Sequence, residues 1–482
     1  MSAARPPDFG KLDGAAPVWN TLRPARIALL GDFGANACAG RLETGAALAR
    51  RKPHRVDSDT LDRTLARMCP AITVPLGDDA APIRIALPRL HAFDPLTLVR
   101  DLDIFQSLAA LRRRLANNLG FVQAAEEIRA WEIDAPAAAS LATRPGGGRG
   151  GDLRVDLALE DFARLAGRPS ATDRPAASGA LLRQTAGPFV MPSGKQDQAG
   201  LVAGLDRAMA ETLGALMHHP DLRLAEALWR GVDYLLQRLP ADGSVQVDLI
   251  DISAEEFAAD LSAQSDLSRT GLYRLLVDQP AGETDAGYRY LGACYRFTAT
   301  PAQIALLGRA ARVCAHAGAP FITAIEPQAF IGPDAAMAAP LQDAFDALRG
   351  LPEANFLALV APHFLLRSPH GTPGGPAGLF RYEEFTGPDD LGHLLWGHPA
   401  LPALCRLVGS GQARAPARRS PAGATGTRSP APLLENMLQD GAVARLGGQG
   451  INSILPDADG TAIRLTMLAT LDGAALPVDG PA

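Results

Sequence analysis

Residues 26–33 read Arg-Ile-Ala-Leu-Leu-Gly-Asp-Phe, an apolar run that stops at a Gly31-Asp32 turn. Such a run is too short for an isolated helix and reads as a buried strand that turns at its end into a loop. Working outward from it, Asp57 or Ser58 can cap a helix to about Met68, with Leu61, Leu65 and Met68 on one face and Cys69-Pro70 as the stop. Ile72 to Leu76 and Ile83 to Leu87 flank Gly77-Asp78-Asp79 and predict a hairpin. Asp94-Pro95 opens another helix, and Ile104 to Leu119 is strongly helical, with Leu108, Leu111 and Leu115 inward. This alternation of strands and helices fits an α+β fold, mixed sheets flanked by helices, with a first unit ending near residue 130.

The composition then changes. Residues 134–200 are rich in Ala, Gly, Pro, Ser and Arg and read as a linker, with short helical pieces around 153–167 and 178–186. Periodicity returns near Leu201 with one helix lined by Leu205, Met209, Leu213 and Leu216 and another over Leu222 to Arg238. Gln246 to Ile252 alternates as a strand, Ala254 to Leu261 and Ser268 to Val277 as helices, and Leu291 to Phe297 as a strand carrying Tyr295. Pro301 to Ala317 is a long helix and Pro320 to Ile325 a buried strand. Phe356 to Leu366 is a further strand whose Pro362 argues for an edge or a bulge. Residues 409–432 are low-complexity and basic, the composition of a disordered insert. A helix at about 433–440 and a strand at Ala462 to Leu468 close the chain. The expected organisation is thus a flexible arm over 1–20, a first folded region over 21–133, the linker over 134–200, a second region over 201–408, the insert over 409–432 and its continuation over 433–482.

Bulk properties narrow the function classes. With 482 residues, 47% hydrophobic and 20% charged, the chain can bury a large core. A net charge of -6 gives no footprint for nucleic acid. The five scattered cysteines form no CxxC pair and read as reduced buried thiols. The N-terminal stretch has no apolar signal core and no window reaches the length of a membrane span, so a cytoplasmic location is expected, without membrane insertion.

Fragments that imitate catalytic motifs do not assemble. Gly31-Asp32-Phe33-Gly34 contains the DFG of kinases without the other kinase parts, no phosphate loop occurs, and only Lys11, Lys52 and Lys195 are lysines. His218-His219 precedes a proline and suits capping. His363, His370, His393 and His398 lie close in sequence but lack a carboxylate or cysteine at ligand spacing. One of Glu383 and Glu384 is expected to pair with Arg367 or another arginine across the sheet. No catalytic residue, metal or cofactor is expected.

Two sets of motifs together resemble a known family. Leu30-Gly31-Asp32-Phe33, Arg55-Val56-Asp57-Ser58-Asp59 and Phe93-Asp94-Pro95 are similar to the small subunit of the type VI secretion contractile sheath. His219-Pro220, Leu228-Trp229-Arg230-Gly231, Ala319-Pro320-Phe321, the run Ala361 to Gly371 with Arg367, Phe380 to Glu384, and Leu395-Trp396-Gly397 are similar to the large subunit. The resemblance implies a fused sheath protomer, a structural protein and not an enzyme. Its interaction or structural positions would be Asp32, Phe33, Asp57, Asp59, Phe93, Trp229, Arg230, Arg367, Glu383, Glu384 and Trp396. Its implied partners are other sheath subunits or copies of itself, a tail tube and a baseplate. The N-terminal arm leading into Thr21 to Leu30 is the candidate for a strand donated to a neighbour. Two other readings stay open: an accessory protein that binds or caps a sheath end or baseplate without polymerising, and a soluble enzyme of another kind.

Overall fold

The computed structural model describes residues 7–14, 19, 25–76, 82–133, 176–190, 198–240, 242–281, 287–331, 337–372, 380–385, 388–409, 433–458, 462–476 and 478. In chain order the strands are β1 (Ala25–Gly31), β2 (His54–Val56), β3 (Ala71–Val74), β4 (Ile83–Ala86), β5 (Val245–Asp251), β6 (Tyr290–Phe297) and β7 (Phe321–Ile325). They continue with β8 (Leu357–Ala361), β9 (Phe364–Leu365), β10 (Gly371–Thr372), β11 (Tyr382–Glu383), β12 (Trp396–Gly397), β13 (Ile451–Pro456) and β14 (Ile463–Leu465). Eight of them form one sheet in the order β14-β13-β8-β7-β6-β1-β5-β2. The six interior strands run parallel, while β2 and β14 close the two edges antiparallel. The sheet is mixed and flanked by helices, as the α+β reading expects; the parallel bias of its interior was not evident from the sequence.

β1 is the hinge of the architecture. Its seven residues pair with β5 from Ala25–Val245 to Gly31–Asp251, and Ile27 to Leu30 pair with Tyr290 to Ala293 of β6. A strand of period two splits its side chains between two faces. Ile27 and Leu29 join Val247, Leu249, Tyr290, Ile322 and Val360 in one core. Ala28 and Leu30 join Ile250, Leu291, Phe321 and Leu359 in the other. Each fully buried Ile or Leu stabilises by about 1.5–3 kcal/mol, so the strand is fixed from both faces. The first core is covered by the helices Gln198–Met217, Pro220–Leu236 and Ala400–Leu407, the second by Ala254–Ala263, Pro301–Ala317 and Ala339–Arg349.

Local chemistry sets these helices. Ser253 and Glu256 form a reciprocal capping box at 3.1 and 2.9 Å. Thr300 caps Gln303, Pro301 stands at the first position, and Gly318 ends that helix at a φ of 69°.

Several sequence expectations are corrected. Residues 433–439 are not helical; Leu434 bridges Phe364 instead, and the helix begins at Asp440. Pro362 marks neither an edge nor a bulge. A cis Ala361–Pro362 bond ends β8, which lies between β7 and β13 in the sheet interior, and the chain passes to the β9–β12 ladder. The arm is docked where it is described: Asp8 pairs with Arg309 at 2.8 Å, Phe9 lies against Gly308, and Lys11 bonds Ser265 and Leu267. Trp19 donates to the carbonyl of Asn355 at 3.1 Å. The arm is expected to lead a donated strand into Thr21 to Leu30; Ala25–Gly31 is an interior strand of the chain's own sheet, and residues 1–6, 15–18 and 20–24 of the arm lie outside the described residues. β3 and β4 pair antiparallel as expected, while the Gly77-Asp78-Asp79 turn lies outside the described residues. Of the linker, residues 176–190 are a helix, whereas the piece at 153–167 and nearly all of the 409–432 insert lie outside the described residues.

Candidate functional site

The helix Pro220–Leu236 lies across the seam between the N-terminal segment and the rest of the chain. His219 stands at its N-cap and accepts from the Asp221 amide at 3.3 Å, the capping role expected for it. Its apolar face carries Trp229, which is fully buried and meets Phe33 edge to face at 5.6 Å. The Trp229 indole N–H donates to the Phe33 carbonyl at 3.3 Å. Two motifs that are 196 positions apart thus close on each other.

One turn away, Glu226 and Arg230 begin an alternating row of charges. Arg230 donates to Glu226 at 2.7 Å and to Asp94 at 2.7 Å. Arg367 grips Glu226 at 2.8 and 3.1 Å and Glu384 at 2.7 and 2.9 Å, a fork-to-fork geometry on both sides. The His370 amide completes Glu384 at 2.7 Å. Burial alone would raise the Glu226 carboxyl, but Arg367 and Arg230 outweigh it and hold it at about 2. Glu384 is buried too, and Arg367 holds it below the usual carboxylate range. Within the row Asp94–Arg230–Glu226–Arg367–Glu384, the two buried glutamates therefore stay ionised at neutral pH. The row ties the turn after residue 93 to a central helix and to the loops around β10 and β11.

Two further clamps join the same halves. Asp248 on β5 takes Arg26 of β1 at 2.5 Å and Arg55 of β2 at 2.6 Å. Arg112 pairs with Asp206 at 2.5 Å. Both set the N-terminal segment against residues past 200.

The remaining positions have local duties. Asp32 folds its own loop, accepting the amides of Asn36 at 2.6 Å and Ala37 at 3.0 Å. Burial pushes its carboxyl up to about 7 against those two bonds. Asp251 accepts Gly34 and Asn36 from the other side. Asp57 takes the amides of Asp59 and Thr60 and starts the helix Leu61–Met68; Asp59 is exposed in that turn. Phe93 is fully buried core. Trp396 on β12 donates to the Leu391 carbonyl at 3.2 Å. Glu384, not Glu383, is the carboxylate that meets Arg367; Glu383 sits on β11 opposite Gly371.

The structure thus gathers Phe33, Trp229, Arg230, Arg367 and Glu384 at one seam and leaves Asp57, Asp59 and Trp396 elsewhere. Sequence reasoning missed Glu226, Asp94, Asp248 and Asp251 as site residues. The Glu226–Arg230 spacing of four within an apolar helix was the available signal. Chemically the row pairs each carboxylate with a guanidinium, an arrangement that cross-links segments. Four of the nine histidines meet in two pairs: His218 stacks on His393 at 3.8 Å, and His363 meets His398 edge to face at 5.5 Å. Among the described residues no group of three or more His, Cys, Asp or Glu is placed to hold a metal, and no helix is long and apolar enough to cross a membrane.

Known proteins share part of this chain. Residues 199–410 match the family VipB: EvpB/VC_A0108, tail sheath N-terminal domain. The type VI secretion system sheath protein TssC1 of Pseudomonas aeruginosa strain PAO1 is 26% identical over 214 residues, 42% of this chain and 43% of that protein. The chain therefore spans less than half the length of that curated relative. Over residues 199–410 its likeness is to a structural sheath component of the type VI secretion system, and not to an enzyme.

Proposed function

We propose that this chain is a sheath protomer of a type VI secretion-like contractile apparatus in which the small and large subunit parts are fused, assembling with copies of itself or other sheath subunits around a tail tube. One observation carries the reading. β5 and β6 both lie within the sheath-like residues 199–410, and β1, from outside that match, fills the gap between them. The sheath-like region without the N-terminal segment would lack a central strand, the arginines that pair with Asp248 and Asp206, and the partner of Trp229. A small-subunit-like part supplied in cis accounts for this, and the linker raises its effective concentration.

A second reading, an accessory protein that caps a sheath end, is favoured by one feature. β1 and the described part of the arm are both engaged within their own chain, as suits a protein that passes no strand to a neighbour. Electron microscopy of the purified chain, alone and with sheath and tube proteins, separates the two. Tubules support a polymerising protomer and end-bound density the cap. Monomers that touch neither sheath nor tube would refute both. Expressing residues 1–150 and 151–482 as separate chains tests the fusion itself: the pieces should co-purify, and independent soluble pieces would sink it.

A further inference from the structure

The loop that follows β1 is strained and is held by two carboxyls. Ala35 adopts a left-handed φ of 51°, a conformation that favours glycine. Asp32 accepts the amides of Asn36 at 2.6 Å and Ala37 at 3.0 Å. Asp251, at the end of β5, accepts the Gly34 amide at 2.8 Å and the Asn36 side-chain amide at 2.9 Å. Asn36 therefore bridges two carboxyls that leave neighbouring parallel strands, and it is only 2% exposed. The same loop carries Phe33, whose ring and carbonyl both meet Trp229.

The site differs from the seam's other buried acids in its counter-charge. Glu226 and Glu384 are each answered by Arg367. Asp32 is 8% exposed, yet both of its carboxyl hydrogen bonds come from neutral amides. Asp251 faces it from β5, Glu255 from the helix Ala254–Ala263 and Asp221 from the helix Pro220–Leu236. Arg51 is committed to Glu256 at 2.7 Å and Glu43 at 3.1 Å, and also donates to the Asp251 carbonyl. Arg41, at the end of the loop, is exposed. Burial pushes the thiols of Cys38, Cys69 and Cys294 and the Tyr295 phenol upward, so these neighbours are neutral at physiological pH.

Burial accordingly raises Asp32 to about 7, Asp251 and Glu255 add to the effect, and the two amide bonds offset only part of it. A cavity of about 40 Å³ opens against Asp32 beside Asp221 and Glu255. One water needs roughly 10–15 Å³, so there is room for solvent to exchange protons with the carboxyl. The direction of the response follows from linkage. In an opened loop Asp32 would titrate near its ordinary 3.8, so the closed loop binds the proton more tightly. Acidification from pH 8 toward 4 therefore favours closure, and alkalinity favours opening.

We propose that the loop from Asp32 to Arg41 is a pH-sensitive latch on the seam: it closes fully when Asp32 carries a proton, and it loosens its brace on Phe33 when Asp32 ionises beside Asp251. The device lies within a single chain and does not depend on the sheath reading.

Hydrogen exchange of the full-length chain tests it, read by mass spectrometry on peptides spanning 31–41 and corrected for the intrinsic pH dependence of amide exchange. Protection in the wild type should be about tenfold greater at pH 6 than at pH 8, the ratio that a midpoint of about 7 gives. Asp32→Asn keeps an acceptor and removes the titration, so its protection should be the same at both pH values. Should that variant fail to fold, Asp251→Asn carries the test, because losing the neighbouring charge should move the change in protection to lower pH. Glu126→Gln, on an exposed helix face, should keep the wild-type profile. Equal wild-type protection at the two pH values overturns the proposal. So does a wild-type pH dependence that persists in Asp32→Asn, an unmoved profile in Asp251→Asn, or an equal rise across the helix Pro301–Ala317, which marks a global effect.

Discussion

Replacing Arg367 by methionine is the sharpest test of the seam. The guanidinium neutralises Glu226 and Glu384, whose side chains are each only 2% exposed. Methionine keeps much of the volume and removes the charge. Glu226 would retain Arg230, but Glu384 would keep only the His370 amide. Leaving a buried charge without its partner costs about 3–5 kcal/mol. Unfolding entropy of ~2.1 cal/mol/K per residue, over 482 residues, comes to ~1 kcal/mol/K. The melting temperature of a chain that melts as one unit should therefore fall by only about 3–5 °C.

Differential scanning calorimetry at two pH values adds a signature that packing loss alone would not give. In the wild type, Glu226 sits at about 2 against an ordinary 4.5, so its stabilisation is complete above 4.5 and is lost as pH falls toward 2. In Arg367→Met the buried carboxyls are raised instead, and the penalty is largest at neutral pH and shrinks once they protonate. The deficit should be several degrees at pH 7 and clearly smaller at pH 4. A fall below about 1 °C, or a deficit equal at both pH values, would refute the claim that this row of ions holds the two halves together. Adding Glu384→Gln to Arg367→Met should recover part of the loss, because no buried charge is then stranded on that side.

Other consequences are simpler to read. Trp229→Ala should cost about 3–5 kcal/mol, seen as a lower melting temperature, because it empties a fully buried site and frees the Phe33 carbonyl. Gly308→Ala would set a Cβ 2.1 Å from the Phe9 ring, so the arm should lift away and residues 7–14 should become sensitive to limited proteolysis while the melting temperature of the rest changes little. Burial lowers His370 to about 4, so its neutral form is favoured in the fold and stability should decline as pH drops from about 6.5 toward 4. His370→Gln should flatten that part of the melting curve against pH, and identical profiles would contradict it.

Much of the secondary structure was legible because local patterns carry it. The RIALLGDF run, the hairpin around Gly77 and the Asp94-Pro95 helix start each rest on a few neighbouring residues, and all three elements are present. The pairing of β1 with β5 and β6 was not legible, because no local pattern encodes which distant strands flank a buried one. Pro362 misled for a related reason: a proline without a donor belongs at an edge only if the strand continues, and here the strand simply ends. The stretch 433–439 looked helical from its composition, yet the Leu434 bridge to Phe364 claims its backbone. At the seam, the aromatic and arginine positions stood out by residue type. Their carboxylate partners did not, since Asp94, Glu226 and Asp248 look like ordinary surface acids until the fold buries or half-buries them.

The position of β1 also bears on how the chain is made. β1 precedes its partners in synthesis: Val245, opposite Ala25, and Tyr290, opposite Ile27, follow about 220 and 260 residues later. At roughly 5–20 residues per second, the most apolar strand of the N-terminal segment waits on the order of 10–50 s with both backbone edges unpaired. Nascent chains are therefore exposed to aggregation over that interval, and a holding chaperone, or slow synthesis matched by early collapse around the β3–β4 hairpin, would govern the yield of native protein.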